Sequence, residues 1–174
     1  MPLILLELDV AAAERVQRLW LRLAAAGLPE LGMHGYAPHL TLAVFDELAL
    51  EPLVARLDGL FRGAGAPGLS FDVLGSFPDA GVLHLVPTPS AELLALQARV
   101  YQALAGVAAG CRKAYRPGHW TPHCTLAAKL TPDDLARAFA LCARGWTPVE
   151  ARASAVALAQ EGPPPRDLWR LELR

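Results

Sequence analysis

The 174-residue chain has no stretch near the ~20 uninterrupted apolar residues that a membrane helix needs. Its opening, Met1–Val10, carries no basic leader and turns acidic at Glu7, so no secretory signal is expected there. Cysteine is scarce. Cys111, Cys124 and Cys142 form no C-x-x-C pair and leave an odd thiol, which argues against a disulfide framework. Net charge is also small, −1 at pH 7, so the surface as a whole does not attract nucleic acid. These absences lead to the expectation of a cytoplasmic, monomeric protein with no membrane partner. Hydrophobic residues make up 53%, enough for a sizeable core within one domain spanning 1–174.

A local absence is more informative. No acidic residue occurs between Glu92 and Asp133, while Arg99, Arg112, Lys113, Arg116 and Lys129 all fall in that interval. Such a run is a solvated basic face or a phosphate-attracting rim. Inside it lies "TPHCTLAAK", beginning at Thr121, a near copy of "APHLTLAVF", beginning at Ala37. Both read Pro-His-x-Thr-Leu-Ala. Repetition within one chain points to a unit used twice, each copy supplying an imidazole and a hydroxyl.

The surrounding pattern predicts seven strands and four helices. Strands are expected over Leu3–Leu8, the two motifs (about 38–45 and 121–128), "LSFDVLGSF", "GVLHLVP", "VEARASAVALAQ" and "LWRLEL". Helices are expected over 11–26, 52–61, from the Ser90 cap to Leu104, and from the "TPDD" start at Thr131, with Leu135, Ala138, Phe139 and Cys142 on its core face. The hairpin around "PDAG" and another near the end do not suit a doubly wound sheet. They favour an α+β fold in two interleaved lobes.

Strict alternation along each motif strand would place His39, Thr41, Ala43 and Phe45 on one face and Leu40, Leu42 and Val44 on the other. In the second copy His123, Thr125 and Ala127 would share a face. Two such faces meeting across a cleft suit one chemistry. Two histidines flanking a phosphodiester act as general base and general acid, since histidine titrates near working pH. Threonine hydroxyls donate to the non-bridging oxygens as charge builds. The repeat offers no third metal ligand, so no metal or other cofactor is expected.

Two H-x-T motifs, at "PHLTL" and "WTPHCTL", in a chain of this size resemble the 2H phosphoesterase superfamily. The similarity is strongest to its small bacterial, LigT-like members, the 2′-5′ RNA ligases or RNA cyclic phosphodiesterases. The resemblance implies a bilobal fold with pseudo-twofold symmetry, antiparallel sheets lining a central cleft and helices outside. It implies metal-independent opening of 2′,3′-cyclic phosphates on RNA ends or nucleotides to 2′-phosphates, with reversible 2′-5′ ligation as the alternative. A nucleotide- or RNA-end-binding module without turnover is a further alternative. The resemblance assigns His39 and His123 as the acid/base pair and Thr41 and Thr125 as phosphate binders. Arginines that some relatives place soon after each motif are not evident here. Lys129 follows the second, but Asp46 and Glu47 follow the first, which favours a small nucleotide or an RNA terminus over a long duplex.

Tyr36 and Trp120 each precede a motif histidine by three residues and are candidates to stack on a base. Arg116 and Lys129 are candidates to bind phosphate. His84, between Val82 and Val86 on one strand face, reads as a packed histidine, His119 as a rim residue and His34 as solvated. Pro122 between His119 and His123 rules out a helical zinc pair. Cys124 falls behind its strand, as an inert buried thiol.

Overall fold

A computed structural model describes residues 1–174. In chain order the elements are β1 (Pro2–Leu8), α1 (Val10–Ala25), β2 (His39–Val44), β3 (Glu47–Leu48), α2 (Leu50–Phe61), β4 (Gly68–Phe77), β5 (Val82–Pro87), α3 (Ala91–Ala103), β6 (Ala108–Ala109), β7 (Cys124–Ala127), α4 (Pro132–Ala143), β8 (Val149–Gln160) and β9 (Arg166–Glu172). Seven strands form one antiparallel sheet in the order β2-β1-β8-β4-β5-β7, with β9 also on β8. The fold is α+β, as expected. A two-stranded ribbon, β3–β6, is additional; two-residue strands carry no periodicity to read.

Strand β8 joins the two halves. Its first four residues, Val149–Arg152, pair with β4, and Ala153–Gln160 pair with β1. Burial alternates along its start and becomes continuous over Ala155–Ala159, where apolar groups cover both faces.

The helices begin where their caps dictate. Asp9 accepts the Ala12 amide at 3.1 Å, Ser90 the Leu93 amide at 3.1 Å and Thr131 the Asp134 amide at 3.2 Å. Their apolar stripes, Val16, Leu19, Trp20 and Leu23 on α1 and Leu53, Leu57 and Phe61 on α2, join one large core. Phe139 departs from expectation. It is 40% exposed, because α4 turns Ala138 and Cys142 inward and carries Phe139 about 100° round from Ala138. A second, five-residue cluster, Leu3, Leu5, Val44, Ala157 and Ala159, lies apart from that core. It marks the opposite face of the β1–β2–β8 layer. No helix is long and apolar enough to cross a membrane.

Candidate active site

The two motif strands carry the same irregularity. Against β1, Leu5 pairs with Thr41 and Ile4 with Ala43, so Leu42 is the extra residue of a β-bulge. Against β5, His84 pairs with Thr125 and Leu83 with Ala127, so Leu126 is extra. Each bulge falls three residues after the motif histidine. It corrects the strict alternation read from sequence. His39 and Thr41 share their face with Val44, which belongs to the small cluster, while Ala43 and Phe45 turn into the main core. Thr125 likewise parts from Ala127, which is fully buried in that core. The bulge thus leaves the His and Thr face outside the main core and returns the next residue to that core one position early.

Backbone contacts fix both motifs. The buried Gln97 amide donates to the Leu42 carbonyl at 3.3 Å and to the Tyr115 carbonyl at 2.7 Å. The Trp120 indole donates to the Thr41 carbonyl at 3.0 Å, and the Trp20 indole reaches the Thr125 carbonyl at 3.4 Å. Trp120 precedes the second motif yet holds the first, so it clasps one half to the other.

The histidines are oriented alike. His39 Nδ1 lies 2.6 Å from the Ala37 carbonyl and His123 Nδ1 lies 2.8 Å from the Thr121 carbonyl. A carbonyl only accepts, so Nδ1 donates, and in the neutral ring Nε2 keeps its lone pair. Burial lowers the pKa of both. For His39 the Ala37 carbonyl opposes this, and charge on His123 adds to it; for His123 the Thr121 carbonyl opposes it.

The surroundings of the two rings differ. A recess of about 460 Å³ beside His39 is lined by Glu7, Tyr36, Arg166, Asp167 and Arg170 among others. There Arg170 pairs with Glu7 and, at 3.0 Å, with Glu172. A recess of about 310 Å³ beside His123 is aromatic, with Phe77, Tyr115, His119 and Trp120 in its wall. Phe77 meets the His123 ring edge-on, with centroids 5.0 Å apart. His84 lies 5.2 Å from His123 and 4.1 Å from Phe77. It is 2% exposed, its Nδ1 has no hydrogen-bond partner, and burial together with His123 charge pushes its pKa down to about 4. No three His, Cys, Asp or Glu side chains converge anywhere in a metal-holding group.

The 2′-5′ RNA ligase superfamily matches this chain over residues 8–163. The chain belongs to that family. The superfamily is one of enzymes acting on phosphodiester bonds or cyclic phosphates. No curated protein matches the sequence. Among solved structures, Escherichia coli LigT complexed with NADP+ is 18% identical at a TM-score of 0.64, covering 99% of this chain and 96% of that one. LigT complexed with 3′-AMP gives 18% and 0.63 with the same coverage. A structure described as a phosphoesterase gives 19% and 0.57, covering 99% and 97%. At these identities the structures establish a shared fold.

In this member of the superfamily the residues singled out from sequence separate into two groups. His39, Thr41, His123 and Thr125 lie on the bulged faces just described. Tyr36 stands 5.5 Å from His39, ring to ring, in the same recess. Trp120 is 8% exposed, and its indole is committed to the Thr41 carbonyl. Arg116 is held by the Cys111 carbonyl at 3.2 Å and lines a separate recess with Tyr101 and Leu104. Lys129 takes a left-handed conformation (φ 61°) after β7 and lines neither histidine recess. Cys124 is buried, and burial pushes its thiol up to about 12, so it is no nucleophile. Sequence reasoning missed Tyr115, which lines the recess beside His123, and the Glu7–Arg170 pair. It also missed the nearness of His84 to His123, which follows only from the β5–β7 register.

Proposed function

We propose that the protein is a metal-independent phosphodiesterase that opens 2′,3′-cyclic phosphates of RNA ends or nucleotides to 2′-phosphates. The observation that carries the reading is the duplicated, bulged H-x-T strand, with both imidazoles anchored through Nδ1 and two threonines beside them. One neutral histidine takes a proton through Nε2 from water as it attacks phosphorus. The other, protonated, gives its proton to the ribose 3′ oxygen as the P–O3′ bond breaks. A 3′-hydroxyl and a 2′-phosphate result, and the pair ends with its protons exchanged. The Thr41 and Thr125 hydroxyls donate to the non-bridging oxygens. A cyclic phosphate in the cleft is an anion and favours a proton on the acid histidine, against the burial that lowers it.

Membership of a ligase-named superfamily supports a second direction for the same machinery. A 5′-hydroxyl end in place of water would form a 2′-5′ bond. Both readings are tested by incubating 2′,3′-cyclic nucleotides, and RNA ending in a cyclic phosphate with and without a 5′-hydroxyl partner, in EDTA. Wild type should give a 2′-phosphate, or a joined product of greater length. His39→Ala and His123→Ala should each lose about 10²–10⁴ in rate. A near-normal rate in either variant would exclude the two-histidine mechanism.

A further inference from the structure

Helix α1 carries Arg15, Arg18 and Arg22 at i, i+3 and i+7, within a sector of about 60° and over ~10 Å of its length. All three line a recess of about 190 Å³ between α1 and the segment that follows α4, whose wall includes Trp146 and Thr147. None pairs with a carboxylate. The arginines that do are Arg62, Arg137 and Arg170. Two are instead fixed by neutral acceptors: Arg15 by the carbonyl and hydroxyl of Thr147, and Arg22 by the Arg144 carbonyl at 3.1 Å. Each bond uses one guanidinium nitrogen and leaves the rest of the planar fork to donate. Arg18 has no hydrogen-bond partner in the fold. Glu14 stands one turn before Arg18 on the same helix without pairing with it, so in a chain of net charge −1 the three arginines form a concentrated positive site that one carboxylate offsets only in part.

We propose that this recess is a second binding site, for the phosphodiester backbone of a single RNA strand. Guanidinium forks match phosphate oxygens in pairs, and arginines about 5–6 Å apart along a helix can meet successive anionic groups. The Trp146 side chain in the same wall supplies a surface for a base to stack on. Helix α1 packs against β7 through Trp20, whose indole meets the Thr125 carbonyl, so the site lies behind the second motif strand and outside the cleft. The proposed reaction supplies only the reason an RNA strand would be present. The arginine geometry stands without it.

The test is fluorescence anisotropy of a short labelled single-stranded RNA ending in a 3′-hydroxyl, titrated at stepped salt. The proteins are wild type, Arg18→Gln and Arg15→Gln/Arg18→Gln/Arg22→Gln, each also assayed on a 2′,3′-cyclic mononucleotide. Removing one arginine–phosphate pairing should flatten the slope of log affinity against log salt by ~0.7. The triple variant should therefore lose ~2 in slope, with mononucleotide turnover unchanged. Arg18 holds nothing in place, so the single variant should keep the wild-type melting temperature and decides the matter if the triple variant unfolds. Unchanged slope and affinity in Arg18→Gln and the triple variant would overturn the proposal. So would polyglutamate displacing the RNA as well as unlabelled RNA does, which would mark an acidic-protein surface. RNA binding with these slopes but no mononucleotide turnover by wild type would leave this site standing and remove the proposed reaction.

Discussion

Acidification from neutral pH toward 4 should destabilise this protein, and His84 is one identified contributor. The folded state holds His84 neutral, because charging it would put a proton on a buried ring beside His123 and Phe77. Unfolded, it titrates near 6.5. Its folded pKa is depressed, so the contribution is complete above 6.5 and is lost as pH falls toward about 4. At ~1.4 kcal/mol per pH unit the full interval corresponds to about 3 kcal/mol, before water entering from the cleft reduces it. His39 and His123, also depressed by burial, act in the same direction. Urea midpoints measured across this range should fall on the acid side by more than one ordinary mutation costs. His84→Phe separates the cause. Phenylalanine keeps a flat ring at the cost of a modest increase in volume, removes the titration and removes the unpartnered Nδ1, which costs ~1–3 kcal/mol when buried. The variant should match or exceed wild type at neutral pH and lose less on acidification. If the two proteins show parallel stability against pH between 6.5 and 4, the fold does not hold His84 neutral and its burial carries no such penalty.

The other expectations concern the site and its supports. With both motif histidines lowered, kcat/KM should be bell-shaped with its maximum below pH 6.5, and a plateau reaching pH ~8 would contradict the lowering by burial. Thr41→Ala and Thr125→Ala should cost less than loss of either histidine, with the deficit visible in inhibition by inorganic phosphate as well as in rate. Gln97→Leu strips the Leu42 and Tyr115 carbonyls of a buried donor; chemical denaturation should show a loss of about 2–4 kcal/mol. Gly81→Ala forces a side chain onto a left-handed residue (φ 59°) against the Leu130 carbonyl, and should lower stability by about 2 kcal/mol or more.

The elements and the four motif residues were legible because their signals are local. Thr131 with Pro132, Ser90, and the apolar stripe of α1 need only a few neighbouring positions to be read. What was not legible depends on pairing. A bulge at Leu42 or Leu126 leaves no mark in the residue pattern. The motif still reads as plain alternation, so Ala43, Phe45 and Ala127 were assigned to the wrong face. His84 lies 39 positions before His123, and only the register of β5 on β7 makes them neighbours. The basic interval from Arg99 to Lys129 is at the rim only in part, where Ala114, Tyr115 and His119–Thr121 line the recess beside His123. Proximity in sequence suggested a rim, but Arg116 and Lys129 line neither histidine recess, whereas three helix-spaced arginines near the start of the chain converge.

The shared strand and the Trp120 clasp also have a mechanical consequence. A cleft between two hinged lobes adjusts its width to each guest. Here β8 runs unbroken through both halves, and an indole from one half grips the backbone of the other directly beneath Thr41. The jaws are therefore set at one gape. Change that leaves the spacing of the two imidazoles undisturbed is confined to rim segments outside that clasp, such as the 161–167 turn beside His39.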